Sequence, residues 1–131
     1  MKYMLMMNVP AGAGDYAINH WTPDVIKRHM AHMHDLNREL KEAGEIVALE
    51  GLTPPAQAKL VRVGMNGEPV TDGPFPETKE FLAGFWIVDV ESEARALEIA
   101  ARVSSAPGPD GQPLRMAVEL RPVLSITPPA A

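Results

Sequence analysis

Residues 81–90 read FLAGFWIVDV, and this stretch decides the fold class because its apolar character is almost unbroken. A strand with one face in water alternates apolar and polar residues, whereas a strand covered on both faces reads as a continuous apolar run. Asp89 is the only charged residue in the stretch. Residues 81–90 therefore predict a β-strand that is covered on both faces.

A second stretch of the same kind opens the sequence, where residues 2–9 read KYMLMMNV. Side chains alternate across a strand, so both sides of this one are apolar, with Tyr3, Leu5, Met7 and Val9 on one side and Met4 and Met6 on the other. A basic residue before an apolar run also resembles a signal peptide, but this run ends at Val9-Pro10 without a convincing cleavage context. A buried strand is the favoured interpretation.

A long amphipathic helix is predicted between these two strands. Thr22 supplies a capping hydroxyl ahead of a proline, and Gly44 supplies a stop. Between them, residues at spacings of three and four share a single stripe, namely Ile26, His29, Met33, Leu36, Leu40 and Ala43. His29 lies near the centre of this stripe, His32 at its edge and His34 well off it. His29 is therefore expected to point inward.

The rest of the sequence predicts four more strands and a second helix. Asn66-Gly67 is typical of a β-hairpin with a type I′ turn, because both central positions of that turn need positive φ. Ser92 supplies the N-cap of a helix that ends near Val103. The remaining strands are predicted at residues 45–52, 58–65, 68–71 and 114–123.

This order of elements predicts an α+β fold of the ferredoxin-like sandwich type, with a mostly antiparallel sheet and two helices on one face. One domain is expected over residues 1–124, followed by a tail at 125–131. Two helices cover only one face, yet two strands are apolar on both faces. A second copy of the chain is the simplest cover, so we expect a homodimer of the dimeric α+β barrel type with its sheets facing each other.

The composition excludes several classes of function. The 131 residues include 12 basic and 17 acidic side chains and no cysteine. Disulfides and thiolate zinc sites are thus excluded, and direct nucleic-acid binding is disfavoured because it needs a basic surface. No stretch approaches the roughly 18 apolar residues that cross a membrane, so we expect the chain in the cytoplasm. Gly12-Ala13-Gly14 lacks the full dinucleotide fingerprint, and no cofactor is expected.

Ordered motifs run through about 120 residues of the chain. They comprise Met1-Lys2-Tyr3-Met4-Leu5-Met6, Gly44-Glu45 leading to Glu50-Gly51-Leu52, Thr71-Asp72-Gly73-Pro74-Phe75 with Glu77-Thr78-Lys79-Glu80, Gly84-Phe85-Trp86-Ile87, and Val118-Glu119-Leu120-Arg121-Pro122-Val123. In these motifs the chain resembles the YCII-related proteins, and specifically their DGPF subgroup.

The resemblance implies a dimeric α+β fold similar to that of muconolactone isomerases. It implies a cleft between sheet and helices in which a histidine and an aspartate act together. Some relatives are described as dehydrochlorinases or similar enzymes acting on ring compounds, whereas DGPF members often accompany alternative sigma factors without an assigned activity. Both an enzyme and a regulatory module are therefore open interpretations.

His29 and Asp72 are the candidate catalytic residues. An inward imidazole can act as a general acid or base, and a nearby carboxylate would fix its tautomer and raise its basicity. Each residue also has a structural interpretation. His29 can be a core histidine bonded to a backbone carbonyl, and Asp72 can hold its own turn by bonding the backbone two residues on.

His32 and Arg121 are the candidate substrate-binding residues. The resemblance implies a helix histidine in the cleft, and His32 is the alternative to His29 for that place. Arg121 or Arg62 would stabilise a developing oxyanion, unless they form solvated pairs with strand glutamates. The spacing of His29, His32 and His34 turns the third histidine away from the others, so no metal is expected. The loop that contains His20 and Trp21 is most simply a surface loop, but it could also cover a cleft.

Two hypotheses about function follow. In the first, the chain is a cofactor-free lyase or isomerase that acts on a small, cyclic carbonyl or hydroxy compound, with His29 as acid or base and Asp72 orienting it. In the second, it is a non-catalytic module that senses a small molecule or binds another protein, linked to alternative sigma factor regulation.

Overall fold

The computed structural model describes residues 1–10, 21–72 and 80–124. The tail at 125–131, the segment with Gly12-Ala13-Gly14 and His20, and residues 73–79 of the longest motif lie outside the described residues. The elements are β1 (Lys2–Pro10), α1 (Pro23–Glu42), β2 (Ile46–Gly51), β3 (Leu60–Val63), β4 (Pro69–Asp72), β5 (Glu80–Asp89), α2 (Glu93–Ser104) and β6 (Val118–Pro122), with a 3₁₀ turn at Pro55–Gln57.

Four of the strands form one antiparallel sheet in the order β2-β5-β1-β6. The two apolar stretches of the sequence, β5 and β1, are both strands as predicted, and they lie side by side at the centre of this sheet. The remaining strands, β3 and β4, form a separate two-stranded hairpin. This arrangement confirms the α+β class and the ferredoxin-like sandwich with a mostly antiparallel sheet.

Both helices pack on the same face of the sheet. A continuous core joins them to the central strands, and its fully buried members are Leu5, Leu36, Leu40, Val88, Ile99 and Val103. The buried residues of α1 are Val25, His29, Met33, Leu36 and Leu40. The predicted stripe is thus confirmed at its centre, while Ala43 is exposed because the helix ends at Glu42.

The predicted helix ends are confirmed in part. The Ser92 hydroxyl accepts a hydrogen bond from the backbone N–H of Arg95 at 3.2 Å and caps α2. Gly44 adopts a φ of 71° directly after the last turn of α1, a conformation that favours glycine. Thr22 makes no side-chain capping bond, so the predicted cap of α1 is wrong in that detail.

Two predictions about strands are corrected. The hairpin at Asn66-Gly67 is present, but only Gly67 has positive φ, at 84°, so the turn is not type I′. The Gly67 N–H bonds the Gly64 carbonyl, as in a three-residue hairpin loop that ends in a left-handed glycine. The closing strand begins at Val118 rather than 114, because Arg115 has a φ of 57° and bonds Ser104 instead of a strand.

The second face of the sheet carries the apolar side chains that point away from the helices. Met4 lies opposite Ile87 and Met6 lies opposite Phe85 across the β1–β5 pair. Their neighbours Tyr3 and Leu5 belong to the core, so alternation places these four side chains on the other face. Neither α1 nor α2 covers this face. In the described part of the chain, no helix is long and apolar enough to cross a membrane.

Candidate functional site

A cavity of about 150 Å³ lies between the start of α1 and the central strands. Residues of the helical layer, of the sheet and of the segment before β6 line this cavity. They are Met7, Val9, Trp21, His29, Ala83, Leu114 and Met116. Among the described residues of this wall, His29 and Trp21 are the ones with nitrogen atoms in their side chains. A cavity that is mostly apolar with a few polar groups is typical of a small-molecule site.

A wider groove of about 470 Å³ continues from the cavity along α1. The two spaces share Met7, His29 and Ala83 in their walls. Methionines of α1 form one side of the groove, and residues of β2 and β5, among them Leu49 and Trp86, form the other. His29 therefore lies where the cavity meets the groove.

The His29 side chain is held in one tautomer by a long-range backbone contact. Its Nδ1 atom lies 3.1 Å from the Pro107 carbonyl oxygen. A carbonyl oxygen can only accept, so Nδ1 carries the hydrogen, and in the neutral ring Nε2 keeps its lone pair. None of the described side-chain hydrogen bonds involves Nε2. The ring thus presents an unprotonated nitrogen that can take a proton.

Burial keeps this imidazole neutral near pH 7. His29 is only 6% exposed, and desolvation lowers its pKa below the ordinary value of 6.5. The hydrogen bond to Pro107 raises the pKa, and the charge of His32 lowers it. Desolvation is the largest of these effects. A buried neutral imidazole with a fixed tautomer has the properties of a general base.

Trp21 packs directly against this imidazole. The ring centroids lie 5.2 Å apart at an interplanar angle of 72°, an edge-to-face arrangement. The indole Nε1 is buried and has no hydrogen-bond partner among the described residues. Trp21 thus lines the cavity beside His29. The rest of the predicted loop, with His20, lies outside the described residues, so its role as a cover stays a prediction.

The structure places the other predicted site residues away from the cavity. The Nε2 atom of His32 lies 2.7 Å from the Arg102 carbonyl oxygen of α2. Asp72 is exposed at the end of β4 and lines neither the cavity nor the groove. Arg121 is exposed and pairs across the strands with Met4, on the face of the sheet away from the helices.

The functional pairing of these residues with His29 therefore stays a prediction. The hydrogen-bond partner of His29 Nδ1 in the described chain is Pro107, not Asp72. This bond to a backbone carbonyl agrees with the structural interpretation of His29 given above. It also orients the imidazole ring, which is the role predicted for Asp72. Among the described residues, no three histidine or acidic side chains are grouped so that they could hold a metal ion.

Sequence reasoning missed two contributors to the site. Pro107 follows α2 and is separated from His29 by 78 positions, and no local pattern indicates its contact. Asn37 lies four residues beyond Met33 in α1, and both line the groove. A polar residue beside the apolar stripe was the available signal for Asn37, because such a residue is costly to bury without a partner.

We expect the pKa of His29 to make the stability of the protein depend on pH. In the unfolded chain His29 binds a proton near its ordinary pKa, whereas the folded chain resists protonation. The contribution of His29 to the free energy of unfolding is thus fully present above pH 6.5, and it is lost as the pH falls through the folded-state pKa. Urea denaturation between neutral and mildly acidic pH measures this loss.

Two glutamine variants separate this effect from general acid destabilisation. His29→Gln removes the titrating group and should flatten the dependence of unfolding free energy on pH. His34→Gln changes an exposed histidine of the same helix and should keep the wild-type dependence. Equal profiles for His29→Gln and the wild type would contradict the assignment.

Comparisons with known proteins agree with the resemblance at the family level. Residues 1–107 match the model of the YCII-related domain. The chain is also 32% identical over 108 residues to an uncharacterised protein of Rhizobium meliloti (strain 1021), a match that covers 82% of this chain and 83% of that protein. The domain match includes His29, Trp21 and the Pro107 contact.

Proposed function

The chain belongs to the YCII-related domain family, and from that premise we propose that it is a cofactor-free enzyme in which His29 moves a proton on a small organic compound. The reaction is of the lyase or isomerase type, and the substrate is a small cyclic carbonyl or hydroxy compound. The observation that carries this proposal is the neutral, buried imidazole, whose tautomer Pro107 fixes at the wall of an apolar cavity. Membership of the DGPF subgroup and residence in the cytoplasm are parts of the same proposal.

The proposed step is proton abstraction from a carbon next to a carbonyl. The lone pair of His29 Nε2 takes the proton, the C–H electron pair moves into the adjoining bond, and negative charge develops on the carbonyl oxygen. The imidazolium then returns the proton to another carbon in an isomerisation, or to a leaving group in an elimination. The Pro107 carbonyl accepts from Nδ1 throughout and favours the charged ring.

Trp21 is suited to stabilise the developing oxyanion. Its Nε1–H is a buried donor without a described partner, beside His29 in the same wall. An indole N–H can only donate, and a preorganised buried donor stabilises an oxyanion more strongly than the same donor in solution.

Exchange of substrate protons for deuterium tests this proposal. The protein is incubated in D₂O with cyclohexanone and a small panel of lactones, and ¹H NMR follows the signals next to each carbonyl. We expect exchange faster than in buffer alone for at least one compound. Exchange at the buffer rate for the whole panel would contradict the proposal.

We also propose that the chain is a homodimer that buries the second face of its sheet. Cross-strand pairing arranges this face in two rows, Ala48, Ile87, Met4 and Arg121 in one and Glu50, Phe85, Met6 and Glu119 in the other. The centre of both rows is apolar; Arg121 ends the first row, and Glu50 and Glu119 end the second. A two-fold axis can place Arg121 of one copy near a glutamate of the other.

The β3–β4 hairpin favours the second candidate function, a protein-interaction module. Every residue of its two strands is exposed, and several are large and apolar, namely Leu60, Val61, Val63 and Val70. Exposed apolar surface of this kind marks an interaction site. Two results together would favour a module over an enzyme. The wild type would bind a partner that a Val61→Lys variant does not bind, and the chain would catalyse no proton exchange. The family resemblance suggests that such a role would be regulatory.

A further inference from the structure

The groove beside His29 continues to a second polar region on the same helix. His29, Met33 and Asn37 follow one another at spacings of four residues and line the same groove. At 1.5 Å per residue, Asn37 lies about 12 Å along the helix from His29. The space widens there into a depression of about 670 Å³, lined by His34, Asn37, Arg38, Lys41, Ile46 and Leu49.

The amide of Asn37 is held in a defined orientation. Its Oδ1 atom accepts a hydrogen bond from the Trp86 Nε1–H at 2.8 Å. An indole nitrogen only donates, so the atom beside it must be the amide oxygen and not the nitrogen. Trp86 is only 6% exposed, which fixes the position of this bond. The Nδ2 hydrogens of Asn37 therefore point elsewhere, and no described residue accepts them.

The charges around Asn37 are mostly positive. Arg38 and Lys41 both line the depression, and Lys41 takes part in no ion pair within the described ranges. Arg38 makes a long contact of 3.5 Å with the exposed Asp35. The Glu50 carboxylate lies on the other face of the sheet, because Glu50 pairs with Phe85 across β2 and β5. Two basic side chains and an oriented amide donor thus lie together at this end.

The space between the two ends is apolar. Met30, Met33, Leu49 and Trp86 line the groove between His29 and Asn37. This part of the wall provides apolar surface for the hydrocarbon of a ligand, and polar groups are placed at both ends of it.

We infer that the Asn37 end is a subsite for the carboxylate of an elongated organic acid, whose apolar body lies along the groove toward His29. The carboxylate accepts from Asn37 Nδ2–H and is attracted by Lys41 and Arg38, and both contacts favour an anion over a neutral head. The orientation of the ligand in this inference rests on the proposed function, because His29 would act on the other end of the same molecule. It narrows the substrate class to amphipathic carboxylates.

Octanoate and its uncharged analogue octanol test the subsite. Each is titrated into ¹⁵N-labelled protein while NMR follows the side-chain amide signals of Asn37 and the indole N–H signal of Trp86, which remains in every variant. We expect octanoate to shift these signals and to bind about tenfold more tightly than octanol, the gain typical of a charge-assisted hydrogen bond.

The main variant is Asn37→Asp, which keeps an acceptor for Trp86 but replaces the donor with a negative charge. Octanoate affinity should fall by about tenfold or more, and octanol affinity should stay the same. Asn66→Asp makes the same chemical change at the exposed hairpin turn and should alter neither affinity. Lys41→Gln should weaken octanoate binding, whereas Lys27→Gln, on the same helix but outside the groove, should not. This second pair tests the subsite if Asn37→Asp does not fold.

Equal affinities for octanoate and octanol, or equal effects of Lys41→Gln and Lys27→Gln, would overturn the subsite. The outcome is separable from that of the proposed function. Proton exchange by His29 without octanoate binding at Asn37 would refute the subsite alone. Octanoate binding at Asn37 without proton exchange on any compound would support the subsite and refute the enzyme.

Discussion

Replacing His29 with glutamine is expected to slow proton exchange on the substrate by about 10²- to 10⁴-fold while the chain stays folded. Among the described residues that line the cavity, His29 alone carries a side-chain nitrogen without a hydrogen, its Nε2. A glutamine amide can still donate to the Pro107 carbonyl, so the buried acceptor keeps its partner. The amide cannot accept a proton near pH 7, so the chemical step loses its base.

Two further variants decide what this result means. Lys27→Gln changes an exposed residue of α1 that lines neither the cavity nor the groove, and it should leave exchange unchanged. Asp72→Asn tests the predicted pair directly. A large loss of exchange would support a role for Asp72 in catalysis, and unchanged exchange would show that the Pro107 carbonyl is sufficient to orient the ring. Wild-type exchange in His29→Gln would refute the assignment of the base.

The sequence was sufficient for the sheet and for the inward direction of His29. Unbroken apolar runs predict strands with two apolar faces, because burial on both faces removes the need for alternation, and residues 2–10 and 80–89 are strands. The helical period likewise places His29 on the buried stripe. Each of these inferences depends on side chains that are close together in the sequence.

The features that the sequence could not predict depend on distant parts of the chain. The Pro107 contact arises from the path of the chain after α2. The closing strand begins later than predicted because Arg115 bonds the same segment instead of a strand. The direction of the β3–β4 hairpin decides whether Asp72 approaches His29, and no local periodicity encodes that direction. Asn37 and Trp86 come together only because α1 lies across the sheet.

A glutamate in place of Ile87 is expected to convert the proposed dimer to a monomer. Ile87 lies in the middle of the open face, with Met4 and Ala48 as its cross-strand neighbours. No basic side chain adjoins it in its own pairs, so a carboxylate buried there would lose its hydration without gaining a partner. The two-fold symmetry applies this cost twice. At about 2 kcal/mol per copy, the dissociation constant should rise by about a thousandfold.

Sedimentation velocity measures the result as a change from twice the chain mass of 14.2 kDa to that mass itself. Leu97→Glu is the matched control, because Leu97 is 55% exposed on α2, in the layer away from the open face. That variant should stay dimeric, since its carboxylate remains in water in either state. In the monomer the Ile87→Glu side chain lies on an open face, so the fold should survive, and thermal unfolding checks this. A wild-type chain that sediments as a monomer, or an Ile87→Glu chain that remains a dimer, would show that the apolar centre of the sheet is not the interface, because no stable two-fold contact through Ile87 can keep two unpaired carboxylates at its middle.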